Sequence, residues 1–142
     1  MNLVIYVDGS LAAEEAVKYV AQWALPEASV LLLSVATSGR ESAMQAGEQA
    51  LARARALYRA VSGEKAPAET RLEVGDVVTR VTEVADEVNA DAIIMGSHGV
   101  DALPRSQAMS RTAEEMLAAT QRAVILVYPK GSEVVPAAGI VS

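Results

Sequence analysis

The feature that most limits the folds open to this chain is a regular alternation of short apolar runs with segments of helical periodicity. Five apolar runs are present, at Leu3–Val7, Val30–Ala36, Ala68–Val74, Ala92–Met95 and Ala123–Tyr128. Between them, apolar residues recur every three or four positions, as on one face of an amphipathic helix. Strands that alternate with helices form a parallel sheet with right-handed crossovers and helices on both faces. The sequence therefore predicts a β-α-β-α-β-α-β-α-β chain of α/β class.

The helical segments have predictable ends and inward faces. Pro26 ends the first helix, Gly63 ends the second, and Ser110 is placed to begin the last. The predicted inward stripe of the second helix is Ala43, Ala46 or Gly47, Ala50, Ala54, Leu57 and Val61. The predicted inner face of the last helix is Ala113, Met116 and Leu117.

The third apolar run differs from the others because charged residues occupy every second position. Within Ala68–Val74, the side chains of Glu69, Arg71 and Glu73 alternate with apolar or neutral ones. This period of two is typical of a strand with one solvent-exposed face. Charges on alternate positions also protect a sheet edge from pairing with another chain. We therefore expect the third strand to lie at an edge of the sheet.

Composition and charge exclude several classes of protein. The net charge of −6 opposes nonspecific binding to nucleic acid or to an anionic membrane. The absence of cysteine excludes disulfides, thiolate catalysis and thiolate-bound metal. No apolar run approaches the roughly 20 residues that span a bilayer, and the first strand begins too early for a secretory leader. We expect a soluble cytoplasmic protein.

The parallel sheet itself indicates where a ligand would bind. In open α/β sheets, ligands occupy the crevice beyond the carboxyl ends of the strands, where the strand order reverses. Two loops follow strands in a way that fits this rule, Asp8–Ser10 after the first strand and Gly96–Ser110 after the fourth. The candidate site is therefore expected at one or both of these loops.

The second loop carries the residues that suit a phosphate. Gly96 and Gly99 allow a close backbone approach, and Ser110 stands at a helix amino end, where N–H groups and the helix dipole favour an anion. Arg105 and Arg111 add positive charge nearby. From the residues alone a simpler alternative stays open, in which the two glycines only turn the chain and the serine only caps the helix.

Two segments carry a resemblance to a known family. Val7-Asp8-Gly9-Ser10 and Ile94-Met95-Gly96-Ser97-His98-Gly99 resemble the two signatures of universal stress proteins, and the resemblance continues through Val124–Val127. It implies a three-layer α/β/α sandwich whose five parallel strands lie in the order 3-2-1-4-5, the adenine nucleotide alpha-hydrolase-like fold. That order agrees with an edge position for the third strand. The family domain is expected to span residues 1–129, followed by a tail at 130–142.

The resemblance also implies an ATP site, with one departure. In ATP-binding members the loop has a glycine, two residues, a second glycine, nine residues, and then glycine with serine or threonine. This chain keeps the spacing but has Met109 where the third glycine is expected. The resemblance implies phosphate and ribose contacts at Gly96, Gly99 and Ser110. It also implies adenine contacts from the backbone of Val35 and a contact from the acidic side chain of Asp8. Arg111 is a further candidate, and Mg²⁺ would accompany ATP.

These features give a leading function and an alternative. The leading hypothesis is a stress-response regulatory protein that binds ATP or a related adenine nucleotide. The alternative is a stress protein that has lost the nucleotide and acts through protein contacts, as Met109 suggests. Catalysis is not expected, because the chain lacks a Gly-Lys-Ser/Thr phosphate loop and a nucleophile elbow, although slow ATP hydrolysis stays open. A phosphoacceptor role for Asp8 with Asp76 and Lys130 is disfavoured, because the implied strand order separates the third strand from the first.

The last strand suggests a partner. Its central residues, Val124, Ile125, Leu126 and Val127, include no charge, although the implied order makes this strand the second sheet edge. An open apolar edge favours pairing with another chain. Family members commonly pair through this strand, so the resemblance implies a twofold homodimer, with the 130–142 tail as a further contact.

Overall fold

Five strands and four helices alternate along the part of the chain that the structure describes, which is residues 1–23, 26–63, 67–97 and 110–129 of a computed structural model. The elements are β1 (Asn2–Tyr6), α1 (Leu11–Trp23), β2 (Ser29–Ala36), α2 (Glu41–Ser62), β3 (Ala68–Val74), α3 (Val77–Glu87), β4 (Ala92–Gly96), α4 (Arg111–Ala119) and β5 (Ala123–Val127). The expected order of elements is confirmed. The bounds of β3 agree with the prediction, and the other strands differ from it by one residue at one or both ends.

The strands form one parallel sheet in the order β3-β2-β1-β4-β5. This confirms the fold class and the edge position of β3. The chain fills the sheet outward from β1 in one direction and then returns to fill the other side. The strand order therefore reverses between β1 and β4, and the crevice expected for a ligand lies at their carboxyl ends.

The core consists of two aliphatic layers, one on each face of the sheet. Because successive residues of a strand point to opposite faces, Ile94 packs beneath α1 and α2 while Ile93 packs beneath α3 and α4. Both residues are almost completely buried. Each helix buries one stripe and exposes the rest. Among the described residues, no helix combines the length and the apolar composition that crossing a bilayer requires.

The predicted inward face of α2 is only partly correct. The buried residues of this helix are Gly47, Leu51, Ala54, Tyr58 and Ser62. Only Gly47 and Ala54 were expected there, and Val61 is 41% exposed. The helix buries the large side chains of Leu51 and Tyr58 against the sheet, which turns the buried stripe by about one residue. The last helix shows the same kind of error, because Ala113 and Met116 are buried but Leu117 is not.

Candidate functional site

The crevice between β1 and β4 is bounded by the amino ends of two helices. α1 begins just after β1 and packs on the same face of the sheet as α2, whereas α4 begins after β4 and packs beside α3. The Ser110 amide donates a hydrogen bond of 2.7 Å to the Ser97 carbonyl, which holds the start of α4 directly against the end of β4. The Ser97 amide in turn donates to the Val127 carbonyl at 2.9 Å, joining this corner to β5.

Asp8 lies at the end of β1 in a tight turn. Its Oδ1 accepts a hydrogen bond of 2.9 Å from the Ser10 amide, and Gly9 has a φ of 84°, a left-handed conformation that favours glycine. Oδ2 of Asp8 has no hydrogen-bond partner among the described residues. The neighbouring Tyr6 phenol has its pKa raised by burial and, to a smaller extent, by the charge of Asp8. With respect to the described residues, Asp8 thus presents one carboxylate oxygen without a partner at the carboxyl end of the sheet.

The two helices that border the crevice are capped in the same way. Oγ of Ser10 accepts from the Ala13 amide at 3.1 Å, and Oγ of Ser110 accepts from the Ala113 amide at 3.1 Å. A serine in this position satisfies one of the N–H groups that a helix leaves open at its amino end. Ser110 therefore caps α4, which is the simpler of the two roles considered for it from the sequence. Its hydroxyl hydrogen is still able to be donated to a ligand, because the cap uses Oγ only as an acceptor.

The first turn of α4 offers main-chain donors rather than a cation. The amides of Arg111 and Thr112 have no hydrogen-bond partner in the described part of the chain. The Arg111 guanidinium pairs with Glu115 one turn along the helix, with Nε and Oε1 2.9 Å apart, and its side chain is 91% exposed. Arg111 was predicted as a cationic contact. Its backbone lies at the crevice, but its guanidinium lies along the outer surface of α4.

Gly96 has a packing role in this structure. A Cβ at this position would lie 2.6 Å from the Cβ of Ala12 and 2.8 to 2.9 Å from backbone atoms of Ala12 and Ala13. The first turn of α1 therefore rests directly on the end of β4, and only glycine leaves room for it. Contact between Gly96 and a phosphate stays a prediction.

Val35 lies on a part of β2 that extends beyond β1. The last paired residue of β1, Tyr6, lies beside Leu33, and the Val7 amide donates to the Leu33 carbonyl at 2.8 Å. In a parallel strand the amide and carbonyl of a residue point to the same neighbour, and this direction alternates along the chain. The amide and carbonyl of Val35 therefore point to the β1 side, beside Asp8. Its side chain is buried, so the backbone is what Val35 offers to the crevice.

Some positions singled out in the sequence fall outside the described residues, and one described position lies away from the crevice. Gly99, Met109, His98 and Arg105 are outside the described residues, as is the tail at 130–142. Asp76 caps α3, where its Oδ2 accepts from the Thr79 amide at 3.0 Å, and it follows the edge strand β3 rather than the crevice. This position argues against the phosphoacceptor arrangement. Among the described residues, no group of three or more acidic or histidine side chains is arranged to hold a metal ion.

Sequence reasoning placed two further residues in candidate loops or motifs without assigning them a role. Ser97 is fully buried and its backbone joins β4, β5 and the start of α4, yet it was noticed only as part of a motif. Ser10 is also buried and caps α1. The signal for Ser10 was available, because a serine followed three residues later by the first turn of an apolar-periodic segment is a helix start. No comparable local signal marks Ser97.

Comparison with known proteins agrees with this architecture. The universal stress protein family model matches residues 1–128. No curated protein sequence matches the chain significantly. A universal stress protein from Archaeoglobus fulgidus, solved in complex with dAMP, is 23% identical, with a TM-score of 0.73 over 89% of this chain and 96% of that chain.

Two further solved structures are similar. A universal stress protein in complex with cAMP is 22% identical, with a TM-score of 0.71 over 92% of this chain and 98% of that one. A universal stress protein family protein from Arabidopsis thaliana with AMP bound is 14% identical, with a TM-score of 0.63 over 96% of this chain and 97% of that one. At these identities the likeness shows the fold, while the family model covers most of the chain. The chain therefore belongs to the universal stress protein family.

Proposed function

We propose that this protein binds an adenine nucleotide in the crevice beyond β1 and β4 and acts as a nucleotide-responsive regulatory protein in a stress response. One observation carries the proposal: two serine-capped helix amino ends and the outward backbone of Val35 lie at the same end of the sheet as Asp8, where the strand order reverses. Three relatives of the same fold were solved with dAMP, cAMP and AMP, and these ligands share an adenine base and one phosphate group.

The residues present fit the parts of such a ligand. The open amides of Arg111 and Thr112, the positive end of the α4 dipole and the Ser110 hydroxyl suit a phosphate. The backbone of Val35 suits the edge of the adenine, which carries both a donor and acceptors. The free Oδ2 of Asp8 suits a hydroxyl or amino group of the nucleotide. The amides of Arg111 and Thr112 and the backbone of Val35 belong to the main chain of α4 and β2, so these groups are in place before a nucleotide binds.

ATP with Mg²⁺ is the more specific form of the proposal. The loop spacing from Gly96 to Ser110 supports it, and Met109 in place of glycine opposes it. Mg²⁺ binds through one or two carboxylates together with phosphate oxygens and water, and Asp8 is the carboxylate of the crevice. Binding rather than catalysis is proposed because the chain lacks a Gly-Lys-Ser/Thr phosphate loop and a nucleophile elbow. We also propose a cytoplasmic location.

Calorimetric titration with AMP, and with ATP in the presence of Mg²⁺, tests the proposal. We expect the native protein to bind one of them with a sub-millimolar Kd. Asp8→Asn removes the charge but keeps an oxygen that accepts from Ser10, and it should weaken binding about 10-fold or more, the usual effect of losing a hydrogen bond to a charged group. Asp76→Asn is the matched control, because it changes a capping aspartate away from the crevice and should leave the Kd unchanged.

The same titration separates the two functional hypotheses. Binding by Met109→Gly but not by the native chain would favour a stress protein that has lost its nucleotide and acts through protein contacts. No binding by either form would reject the nucleotide proposal. Equal weakening by Asp8→Asn and Asp76→Asn would show that the crevice is not where the nucleotide binds.

We further propose a twofold homodimer that pairs through β5. The Val127 carbonyl accepts from Ser97, so the amides and carbonyls of Val124 and Leu126 point outward, away from β4. The side chains of Leu126 and Val127 are fully buried. A partner strand would therefore contact Val124 and Leu126 through their outward main-chain groups, and the half-exposed side chains of Val124 and Ile125 would add apolar contact.

A further inference from the structure

A second candidate site lies far from the crevice, under the carboxyl end of α1. A cavity of about 180 Å³ opens between this helix and the α1/α2 face of the sheet. Its walls include Tyr19, Trp23, Ala28, Val30, Tyr58 and Ile125, and every other lining residue is also apolar. Because α1 runs back across the sheet from its beginning beside β4, the cavity and the crevice lie at opposite ends of the same helix.

The size and lining of this cavity favour a small apolar guest. A dry cavity of about 150 Å³ lined by aliphatic and aromatic side chains accepts benzene in a well-studied engineered lysozyme. The cavity here is similar in volume and lies against the fully buried Ile94. At its mouth, Tyr19 and Trp23 form an edge-on ring pair with centroids 6.3 Å apart, and Trp23 is 63% exposed. Aromatic edges and faces of this kind suit an aromatic guest.

Tyr58 contributes a hydroxyl group to the lining of the cavity. The residue is only 2% exposed, and its hydroxyl has no hydrogen-bond partner among the described residues. Burial raises the pKa of this phenol, so the group stays a neutral donor over the physiological range. Buried polar atoms in proteins are nearly always paired, and an unpaired one calls for a functional explanation. A guest with one hydrogen-bond acceptor would satisfy it.

We propose that this cavity binds a small neutral aromatic molecule that carries a single hydroxyl or comparable acceptor, such as a simple phenol. Stacking against Tyr19 and Trp23 and burial against Val30 and Ile125 supply the affinity, and the Tyr58 hydroxyl selects for the polar atom. The site is independent of the nucleotide proposal, because it shares no residue with the crevice.

A matched pair of probes tests the proposal. Trp23 is the only tryptophan, so the ¹⁵N-labelled full chain gives one indole N–H resonance, which is followed while p-cresol or toluene is added. We expect a saturable shift with both probes and a Kd about 2- to 10-fold lower for p-cresol, the usual range for one net hydrogen bond. Tyr58→Phe should remove the preference for p-cresol and leave toluene binding almost unchanged.

A variant that fills the cavity provides the second arm. Ala28→Leu should weaken both probes by about 10-fold or more, because it occupies the space of the guest, whereas Ala118→Leu on the exposed face of α4 should not. The proposal is overturned if the Trp23 signal does not saturate, if Tyr58→Phe leaves the preference intact, or if Ala28→Leu has no effect. It is also overturned if the Kd of both probes rises as the protein concentration is increased, which would show that a second copy of the chain covers the cavity.

Discussion

The two edge strands of the sheet, β3 and β5, differ in the charge of their residues. At β3, Arg71 pairs with Glu73 at 3.0 Å and with Glu87 of α3, so the edge carries charge and is tied to a neighbouring helix. At β5, the residues from Ala123 to Val127 have no charge, and the outward amides face away from β4. Within the part of the chain that the structure describes, each of these strands is parallel to a single neighbour and has no strand on its other side.

The comparison shows that a sheet edge is defined by more than its place in the strand order. An edge with alternating charges resists pairing with a further strand, because pairing would desolvate those charges. An apolar edge of similar geometry carries no charges, so pairing with a further strand has no such desolvation cost. We therefore expect the two edges to respond differently to the same substitution, and the four predictions below follow this difference from the largest expected effect to the smallest.

The largest effect is expected for Val124→Pro. Proline removes an outward N–H of β5 without breaking a hydrogen bond to β4, and proline is tolerated at edge strands. In a twofold dimer each subunit would lose this donor, so one carbonyl on each partner strand would be left unpaired. The dimer Kd should therefore rise about 100-fold or more. Sedimentation velocity measures the change. Thr70→Pro is the matched control, because the Thr70 amide points outward from β3, and it should leave the oligomeric state unchanged.

Two other results would contradict the assignment of the dimer interface to β5. A dimer unaffected by Val124→Pro but lost with Thr70→Pro would place the interface at β3 and reject the β5 proposal. A native chain that is monomeric at all concentrations would reject it as well.

The next effect concerns how β5 is held in place. Arg122 donates to Asp86 at 3.0 Å and to the carbonyl of the buried Ala90, joining the start of β5 to the end of α3. Arg122→Met should lower the free energy of unfolding by about 1–3 kcal/mol, because it leaves a buried carbonyl unpaired. Urea denaturation measures this loss. Arg111→Met is the control, because its ion pair is exposed, and its effect should stay within about 0.5 kcal/mol.

A smaller loss is expected at the charged edge. Arg71→Met removes both ion pairs of β3 but keeps an unbranched apolar stem of similar length. Because the partner Glu87 is exposed to solvent, most of its attraction is screened, and the variant should lose less stability than Arg122→Met. The loss should shrink further in 1 M salt, where screening is stronger. A loss equal to that of Arg122→Met would contradict the view that the β3 charges protect the edge more than they stabilise the fold.

The smallest effect is a pH dependence of this ion pair. The hydrogen bond from Arg71, and then its charge, hold the pKa of Glu87 below its usual value. A carboxyl with a lowered pKa in the folded state stabilises that state above its unfolded pKa, and the contribution is lost as the pH falls through the folded value. The Tm difference between native and Arg71→Met proteins should therefore be constant from pH 5 to 7 and decrease below about pH 4.3. A difference that grows in acid would contradict the assignment.

The sequence predicted the parts of the fold that depend on local patterns. The alternating charges of β3 identified an edge, and Ser110 was recognised as a helix start, because both signals lie within a few residues. The face of α2 was predicted less well. This helix is rich in alanine, so two adjacent stripes look equally apolar, and only the sheet decides that Leu51 and Tyr58 turn inward.

The role of Gly96 shows a different limit. Its place in a glycine motif suggests a ligand contact, but the structure shows that α1 packs where a Cβ would be. The approach of Ala12, which is distant in sequence, cannot be inferred from the motif. The same holds for the cavity under α1, whose walls come from four strands and two helices that no local pattern connects.

The bond between Ser110 and Ser97 has a consequence for how this protein family can diversify. The Ser110 amide and the Ser97 carbonyl are already joined, so the described chain is held together on either side of positions 98–109. When the two ends of a connection are fixed in this way, each doubling of its length costs only about 0.6 kcal/mol of chain entropy. Relatives that keep this bond can therefore change the number of residues between the two serines at little cost to β4 and α4.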